Sequence, residues 1–289
     1  MSLLQANVSK VLTFSCVDGP GNRLVVFLQG CNFNCLTCHN PHTIGICNHC
    51  GDCIEVCADK ALTMNNKGKV VWDSSICTQC DKCIEICPES SSPKTRRYTV
   101  DDILNVIMEN RYFLSGITLS GGEATMQLPF VIELFKGIKN NDELKHLTCF
   151  VDSNGFLSEK GWAKILPYLD GAMVDLKAWQ NENHQWLTGK SNHRVFRSIR
   201  YLAAHQKLYE IRLIYIPEIQ DMDENIDSLA ELVQGLPDSV NIRLNAFGIH
   251  GVVGDAKKWD PCSQDQLNAF ADSLYNKGVT RLTKTEVFQ

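Results

Sequence analysis

Cysteine placement constrains this 289-residue chain more than any other feature. Of fourteen cysteines, eleven fall between Cys31 and Cys87; Cys16 precedes them, and only Cys149 and Cys262 follow. A disulfide scaffold is short and carries cysteine throughout its length. Here the 88–289 stretch holds two, so the crowded thiols point to metal.

Eight of the eleven form an internal repeat. Cys47, Cys50, Cys53 and Cys57 recur thirty positions on as Cys77, Cys80, Cys83 and Cys87, each run spaced C-x2-C-x2-C-x3-C. In two-cluster iron–sulfur proteins the fourth cysteine of such a run ligates the other cluster. This assigns Cys47, Cys50, Cys53 and Cys87 to one [4Fe–4S] cluster, and Cys77, Cys80, Cys83 and Cys57 to a second. Zinc ribbons use pairs, not quartets. Ala58 stands where Pro88 stands in the second run; proline is no ligand, so the exchange is harmless. An apolar run at 69–72 after Asn65-Asn66-Lys67-Gly68 predicts a hairpin, and the polar 89–97 stretch predicts a linker. Residues 44–94 are therefore expected to be a bacterial ferredoxin-like insert. Its clusters serve either as an electron relay or as the metal that holds the insert together.

The rest, residues 1–43 and 95–289, alternates short apolar runs with helix-period stretches. Strands are expected at 24–29, 116–120, 147–152, 171–176, 210–216 and 240–246; helices at 99–113, 129–139, 158–169, 193–206, 223–234 and 263–276. Six β–α units with nearly continuous apolar strands predict an α/β fold, an incomplete (β/α)6 TIM-type barrel with its chemistry at the C-terminal strand ends. Lys and Arg number 28 against 33 Asp and Glu, a net charge of −5. No basic footprint for nucleic acid results, and no apolar run approaches the ~20 residues of a membrane span. The chain start lacks a basic region followed by an apolar one, so a cytoplasmic location is expected.

The remaining three cysteines, Cys31, Cys35 and Cys38, follow the first strand as C-x3-C-x2-C. Three ligands leave one iron of a cubane open, the logic of a catalytic site. On spacing alone a zinc knuckle completed by His39 or His42 fits too. Further along, Gly121-Gly122-Glu123 ends the second strand, where glycines admit a close ligand and a carboxylate receives an ammonium. Asp152 and Asp175 end the next two strands and suit a hard cation, or else cap helices. Arg212 falls mid-strand, where a charge needs a partner. Cys16, Cys149 and Cys262 lack partner spacing and read as packed thiols.

Taken with Asp18-Gly19-Pro20-Gly21 upstream and Cys38-His39-Asn40-Pro41 downstream, the triplet resembles the radical S-adenosylmethionine family, in particular the activating enzymes of glycyl radical enzymes. The resemblance covers nearly the whole chain. It implies that the open iron chelates the methionine moiety of S-adenosylmethionine, whose reductive cleavage gives methionine and a 5′-deoxyadenosyl radical. That radical then takes an α-hydrogen from a glycine of a partner enzyme, with flavodoxin or ferredoxin as reductant. It further implies S-adenosylmethionine contacts from Gly121, Gly122, Glu123, Asp152, Ser153, Asp175, Lys177 and Arg212. A monovalent cation, Na+ or K+, would lie on Asp152, Ser153, the Met173 carbonyl and Asp175. Asp18, Gly19, Pro20, Gly21 and His39 would serve the partner's glycine loop, which needs an open groove. Thr37 replaces an aromatic common beside adenine, with Phe33 a substitute, and Phe247 replaces a histidine, with His250 three residues on. Two rivals stand beside this expectation: a radical enzyme acting on a small molecule or a Cys or Ser side chain, and an electron-transfer ferredoxin with an inactive barrel.

Overall fold

The computed structural model describes residues 4–287; residues 1–3 and 288–289 lie outside it, and with them most of the chain start on which the cytoplasmic expectation rests. Strands β1 (Gln5–Ser15) and β2 (Arg23–Leu28) open the chain. The 44–94 stretch contributes α1 (Asp52–Glu55), the hairpin β3 (Leu62–Met64) and β4 (Val70–Trp72), and α2 (Lys82–Glu85). Next, β5 (Arg96–Thr99) runs straight into α3 (Val100–Asn110). Alternation follows through β6 (Gly116–Gly121), α4 (Leu128–Lys139), β7 (Thr148–Ser153), α5 (Glu159–Ile165), β8 (Gly171–Leu176), α6 (Asn181–Thr188) and α7 (His193–Ala204). The chain closes with β9 (Leu208–Tyr215), α8 (Ile226–Gln234), β10 (Asn241–Ala246), α9 (Gln264–Asn276) and β11 (Leu282–Lys284).

The large sheet runs β11-β10-β9-β8-β7-β6-β2-β1-β5. From β2 to β11 every pairing is parallel, and β1 and β5 add an antiparallel flank. The two end strands do not pair, so this is a partial barrel. Strand alternation divides its side chains. Leu24, Ile117, Val151, Val174, Leu213 and Leu244 join the core under the helices. The intervening positions, including Arg23, Thr118, Asp152, Asp175 and Arg212, belong to the polar inner face. Helices cover the outside by ordinary means. In α3, Thr99 and Asp102 form a reciprocal capping box, and in α9 Ser263 and Gln266 do the same. Helix α4 buries Phe130, Val131, Leu134, Phe135 and Ile138; truncating Phe135 to alanine would cost about 3–5 kcal/mol.

Several expectations need correction. The expected linker at 89–97 ends in strand: Arg96 and Arg97 pair with Val8 and Asn7 of β1. Its charges suit an edge strand, which like charges protect from further pairing. Strand β1 has no counterpart among the expected elements because it is half exposed and lacks a clean period. Helix α8 starts at Ile226 rather than 223, because Asp223 accepts the Tyr215 hydroxyl at 2.9 Å outside the helix. Helix α6 and β11 were not expected.

The 44–94 stretch has its own small core of Cys53, Leu62, Val70 and Cys83. Its repeat survives in the backbone. Ile54 N–H donates to the Gly51 carbonyl and Ile84 N–H to that of Asp81, each at 2.8 Å. Left-handed residues also recur thirty apart: His49 and Gln79, Gly51 and Asp81, Lys60 and Ser90.

Candidate functional site

The cysteine triplet sits on the loop leaving the C-terminal end of β2. Gly30 turns it with φ +101°, and the Cys31 N–H donates to the Ile44 carbonyl at 2.9 Å. Helix α6 grips the middle of the loop, its Thr188 and Leu187 carbonyls accepting from Asn34 and Leu36 at 2.9 Å. Asn154 Nδ2 approaches Cys31 Sγ at 3.8 Å. Burial pushes the Cys31 thiol up to about 12 and Cys35 up to about 11, and raises Cys38. Such thiols ionise only beside a strong positive centre, which iron supplies. The histidines of a zinc knuckle are engaged elsewhere: His39 bonds the Gly248 backbone, and His42 faces Asp81 and Lys94. Among the described residues no three His, Cys, Asp or Glu side chains group to hold a single ion.

One aromatic expectation fails at this loop. Phe33 is only 2% exposed, edge-on to Phe156 at 5.5 Å and to His184 at 5.6 Å, so its ring is core and unavailable to adenine. His250 is exposed, while Phe247 is buried near Trp259.

The glycines of Gly121-Gly122-Glu123 lie tight against neighbouring backbone. A Cβ on Gly121 would collide with the Leu28 backbone, and one on Gly122 with the carbonyls of Gly30 and Thr43. Protein backbone makes that close approach, and it seats the rim against the cysteine loop. Glu123 is 2% exposed. Its Oε1 accepts from Thr125 N (3.0 Å), Thr125 Oγ1 (2.6 Å) and Ser153 Oγ (2.9 Å); Oε2 accepts from Asn154 N at 2.7 Å. Burial raises its pKa and these bonds oppose the shift. One acceptor position, on Oε2, is left for an ammonium.

Inside the barrel, Arg212 is the hub. Its Nε donates to Glu210 Oε1 at 2.7 Å, its Nη1 to Asp152 Oδ2 at 3.1 Å, and its Nη2 to the Val17 carbonyl at 3.3 Å. Ser120 Oγ donates to the same Asp152 oxygen at 3.0 Å. Burial pushes the Asp152 carboxyl up, Arg212 pulls it down, and Asp175 adds to the rise. Asp175 meets Lys177 Nζ at 2.8 Å. Burial works against charge on Lys177, yet Asp175 and then the Cys35 and Cys38 thiols overrule it and hold the ammonium above the usual lysine range. The expected cation set is only partly assembled. Asp152, Met173 and Asp175 share the inner face, but the Ser153 hydroxyl turns outward to Glu123 and the Gly155 N–H, because successive strand residues face opposite sides.

At the other end of the strands, the Asp18-Gly19-Pro20-Gly21 loop crosses beneath the barrel. Val17 offers its carbonyl to Arg212 and Arg243, which ties this loop to β9 and β10. Asp18 accepts from Ser15 Oγ at 2.5 Å, and its carbonyl accepts from Thr118 Oγ1 at 2.6 Å. Gly19 and Gly21 have positive φ and no room for a Cβ, against Arg23 and Ser115 respectively. Arg23 is the residue that sequence reasoning passed over. Fully buried, it donates to Thr118 Oγ1, Pro20 O, Thr148 Oγ1, Ile117 O and Thr148 O, and lies 4.3 Å over the Phe150 ring. Desolvation lowers its pKa to about 10. An arginine opening an apolar strand was the available signal.

In the 44–94 stretch, one pocket is lined by Cys57, Cys77, Cys80 and Cys83, with Val56, Leu62 and Trp72. Those four thiols come from both halves of the repeat. Burial raises Cys47, and the nearby Cys87 and Cys50 thiols add to the shift. The fourteen cysteines are all free thiols. Cys149 and Cys262 are buried as packed thiols, but Cys16 is exposed on the loop after β1, against expectation.

Residues 25–233 match the model of the Radical SAM superfamily. The isethionate sulfite-lyase activating enzyme of Oleidesulfovibrio alaskensis is 31% identical over 244 residues, 77% of this chain and 78% of that one. The pyruvate formate-lyase 1-activating enzyme of Escherichia coli is 30% identical over 234 residues, 79% and 75% of the two chains. Among solved structures, QueE from Escherichia coli superposes with TM-score 0.54 at 16% identity over 99% of this chain and 96% of its own, a likeness of fold alone. Among the described residues no helix is long and apolar enough to cross a membrane.

Proposed function

Because the chain belongs to the Radical SAM superfamily, as an oxidoreductase of its activating-enzyme group, we propose that it installs a radical on one glycine of a partner glycyl radical enzyme. The observation that carries this reading is a barrel with two furnished ends. The cysteine loop and the Glu123 rim close one end, and the Asp18-Gly19-Pro20-Gly21 loop lies across the other, tied to Arg212 and Arg243 through Val17.

A [4Fe–4S] cluster on Cys31, Cys35 and Cys38 would supply the electron that cleaves S-adenosylmethionine to methionine and a 5′-deoxyadenosyl radical. The chain's own residues hold and orient. Glu123 Oε2 receives the substrate's ammonium, and the same carboxylate fixes Ser153 and Asn154 around it. Asp152 and Asp175, with the Met173 carbonyl, hold Na+ or K+ beside the substrate carboxylate; Ser153 contributes to this only through Glu123. Lys177 neutralises Asp175 beside Cys35 and Cys38, and Arg212 ties the wall together. No side chain need donate or accept a proton, since positioning supplies the catalysis. Asp18, Gly19, Pro20 and Gly21 receive the partner's glycine loop, which displaces Val17 from the arginines; His39, on the cysteine loop at the opposite end, lies apart from them.

Residues 44–94 act in this reading as a ferredoxin-like insert with two further [4Fe–4S] clusters, on the crossed quartets Cys47, Cys50, Cys53, Cys87 and Cys77, Cys80, Cys83, Cys57. The pocket that gathers Cys57 with the second run supports the crossing. A flavodoxin or ferredoxin is the reductant. At the finest grain the chain resembles YjjW, whose partner would be a YjjI-like glycyl radical protein.

The test mixes reduced protein, S-adenosylmethionine and a YjjI-like partner without oxygen. A glycyl doublet by electron paramagnetic resonance is expected. Failure to cleave S-adenosylmethionine would favour the electron-transfer reading, and cleavage that reaches a metabolite but no partner would favour a small-molecule enzyme.

A further inference from the structure

Residues 44–46 enter the insert and residues 88–91 leave it, and these two legs are bound into a neck. The Gly45 N–H donates to the Ser90 carbonyl at 3.0 Å, and a Cβ on Gly45 would collide with the Glu89 carbonyl. Gln29 clamps both legs: its Nε2 donates to the His42 carbonyl at 2.8 Å and the Gly45 carbonyl at 2.7 Å, and reaches Ser91 Oγ at 3.5 Å. The same neck is fastened to the cysteine loop. Gly30 N–H donates to Thr43 and Cys31 N–H to Ile44, both at 2.9 Å, and the Ile46 side chain lies against Gly30.

The first cysteine on the entering leg is Cys47, one residue past Ile46. The last on the leaving leg is Cys87, whose carbonyl accepts from the Ser90 N–H at 3.3 Å. The crossed assignment puts these two in one quartet, so both legs of the neck lead to the same cluster. Cys57, Cys77, Cys80 and Cys83 instead line a pocket walled by Val56, Ala61, Leu62 and Trp72, from the middle of the insert. Lys94, held to Asp81 at 2.5 Å, also lines that pocket.

Resting on the reading of both quartets as cluster ligands, we propose that the relay is ordered. The Cys47, Cys50, Cys53, Cys87 quartet is the inner station against Cys31; the Cys57, Cys77, Cys80, Cys83 quartet is the outer station; and Gln29 is the residue that positions the junction. A low-potential one-electron carrier is oxidised by one electron at the outer quartet. With clusters bound, the inner quartet and then Cys31, Cys35 and Cys38 would hold the groups that carry that electron onward, supplying the one electron S-adenosylmethionine takes up as its C5′–S bond breaks. No proton moves.

Fully reduced protein should show spin–spin coupling between the Cys31 centre and one neighbour by electron paramagnetic resonance. Cys50 and Cys80 are both exposed ligands, one from each quartet. Cys50→Ser should abolish that coupling, and Cys80→Ser should leave it intact. The reverse pattern, or equal loss in both, overturns the order. Gln29→Met keeps every ligand, so its iron content should be unchanged. Electron arrival at the Cys31 site from a reduced protein carrier should slow at least tenfold by stopped-flow spectroscopy, with reduction of the insert unaffected; an unchanged arrival rate overturns the junction. Iron counting separates this from failure of the cluster reading itself: about four irons in the parent protein instead of about twelve sinks that reading.

Discussion

The barrel and the insert differ in what holds them. The barrel sets a continuous apolar layer of strand and helix side chains against a polar inner face whose charges are paired. The insert has four buried core residues, two of them cysteines, and helices of four residues each. It also keeps five non-glycine residues, His49, Lys60, Gln79, Asp81 and Ser90, in left-handed backbone, at about 1 kcal/mol apiece. Strain of that density persists only where something else over-determines the fold. On the proposed cluster reading, thiolates wrapped around iron would do so, and cluster binding would then be the folding energy of this stretch. The difference teaches that burial accounts for the barrel but leaves the 44–94 stretch in need of another source of stability.

The largest expected effect follows from that contrast. Stripping iron should remove stabilisation on the order of 10 kcal/mol from the insert and little from the barrel. Hydrogen exchange read by mass spectrometry should then show residues 46–88 losing protection while β6–β10 keep theirs; a protected iron-free insert would break the comparison. Arg23→Met probes the other side. It empties the site of five donated bonds and leaves their acceptors buried, so urea denaturation should report a barrel weakened by about 3–5 kcal/mol. Iron per chain should be unaltered.

Glu123→Gln sharpens the comparison through pH. Burial raises the folded pKa of Glu123 above its unfolded value near 4.5. Its favourable contribution is therefore present below that unfolded value and is lost as pH rises through the folded one. As pH rises above that unfolded value the parent should lose stability against the variant, with a slope of at most about 1.4 kcal/mol per pH unit. A flat difference would mean that the four hydrogen bonds fully offset desolvation. The smallest effect is Lys60→Gly, at an exposed left-handed position. It should stabilise the insert by about 0.5–1 kcal/mol, with no change in barrel denaturation.

Much of the barrel could be read from the sequence because its strands are apolar on long runs. The expected 171–176 strand is β8 to the residue, and 24–29 misses β2 by one. Thr99, Ser158 and Ser263 marked helix starts because each side chain caps its helix. Strand β1 escaped because an exposed edge leaves no period, and β5 because Arg96 and Arg97 look like a linker. At the site, residue types were legible but facing was not. Ser153 follows Asp152 in sequence yet serves Glu123 across the strand, and the glycines at 121 and 122 answer to Leu28 and Gly30, which no local pattern encodes. Arg23 needed three dimensions, since its acceptors lie nearly a hundred residues or more away in Ile117, Thr118 and Thr148.

The central claim is that hydrogen leaves a glycine of the partner for the 5′-deoxyadenosyl radical formed from S-adenosylmethionine at the Cys31 end of the barrel. A partner made with α-deuterated glycine tests it most directly, by mass spectrometry of the 5′-deoxyadenosine formed with reduced protein under anaerobic conditions. The account predicts deuterium in 5′-deoxyadenosine and a glycyl signal that has lost its doublet splitting. Unlabelled 5′-deoxyadenosine, with no radical on the partner, would contradict it.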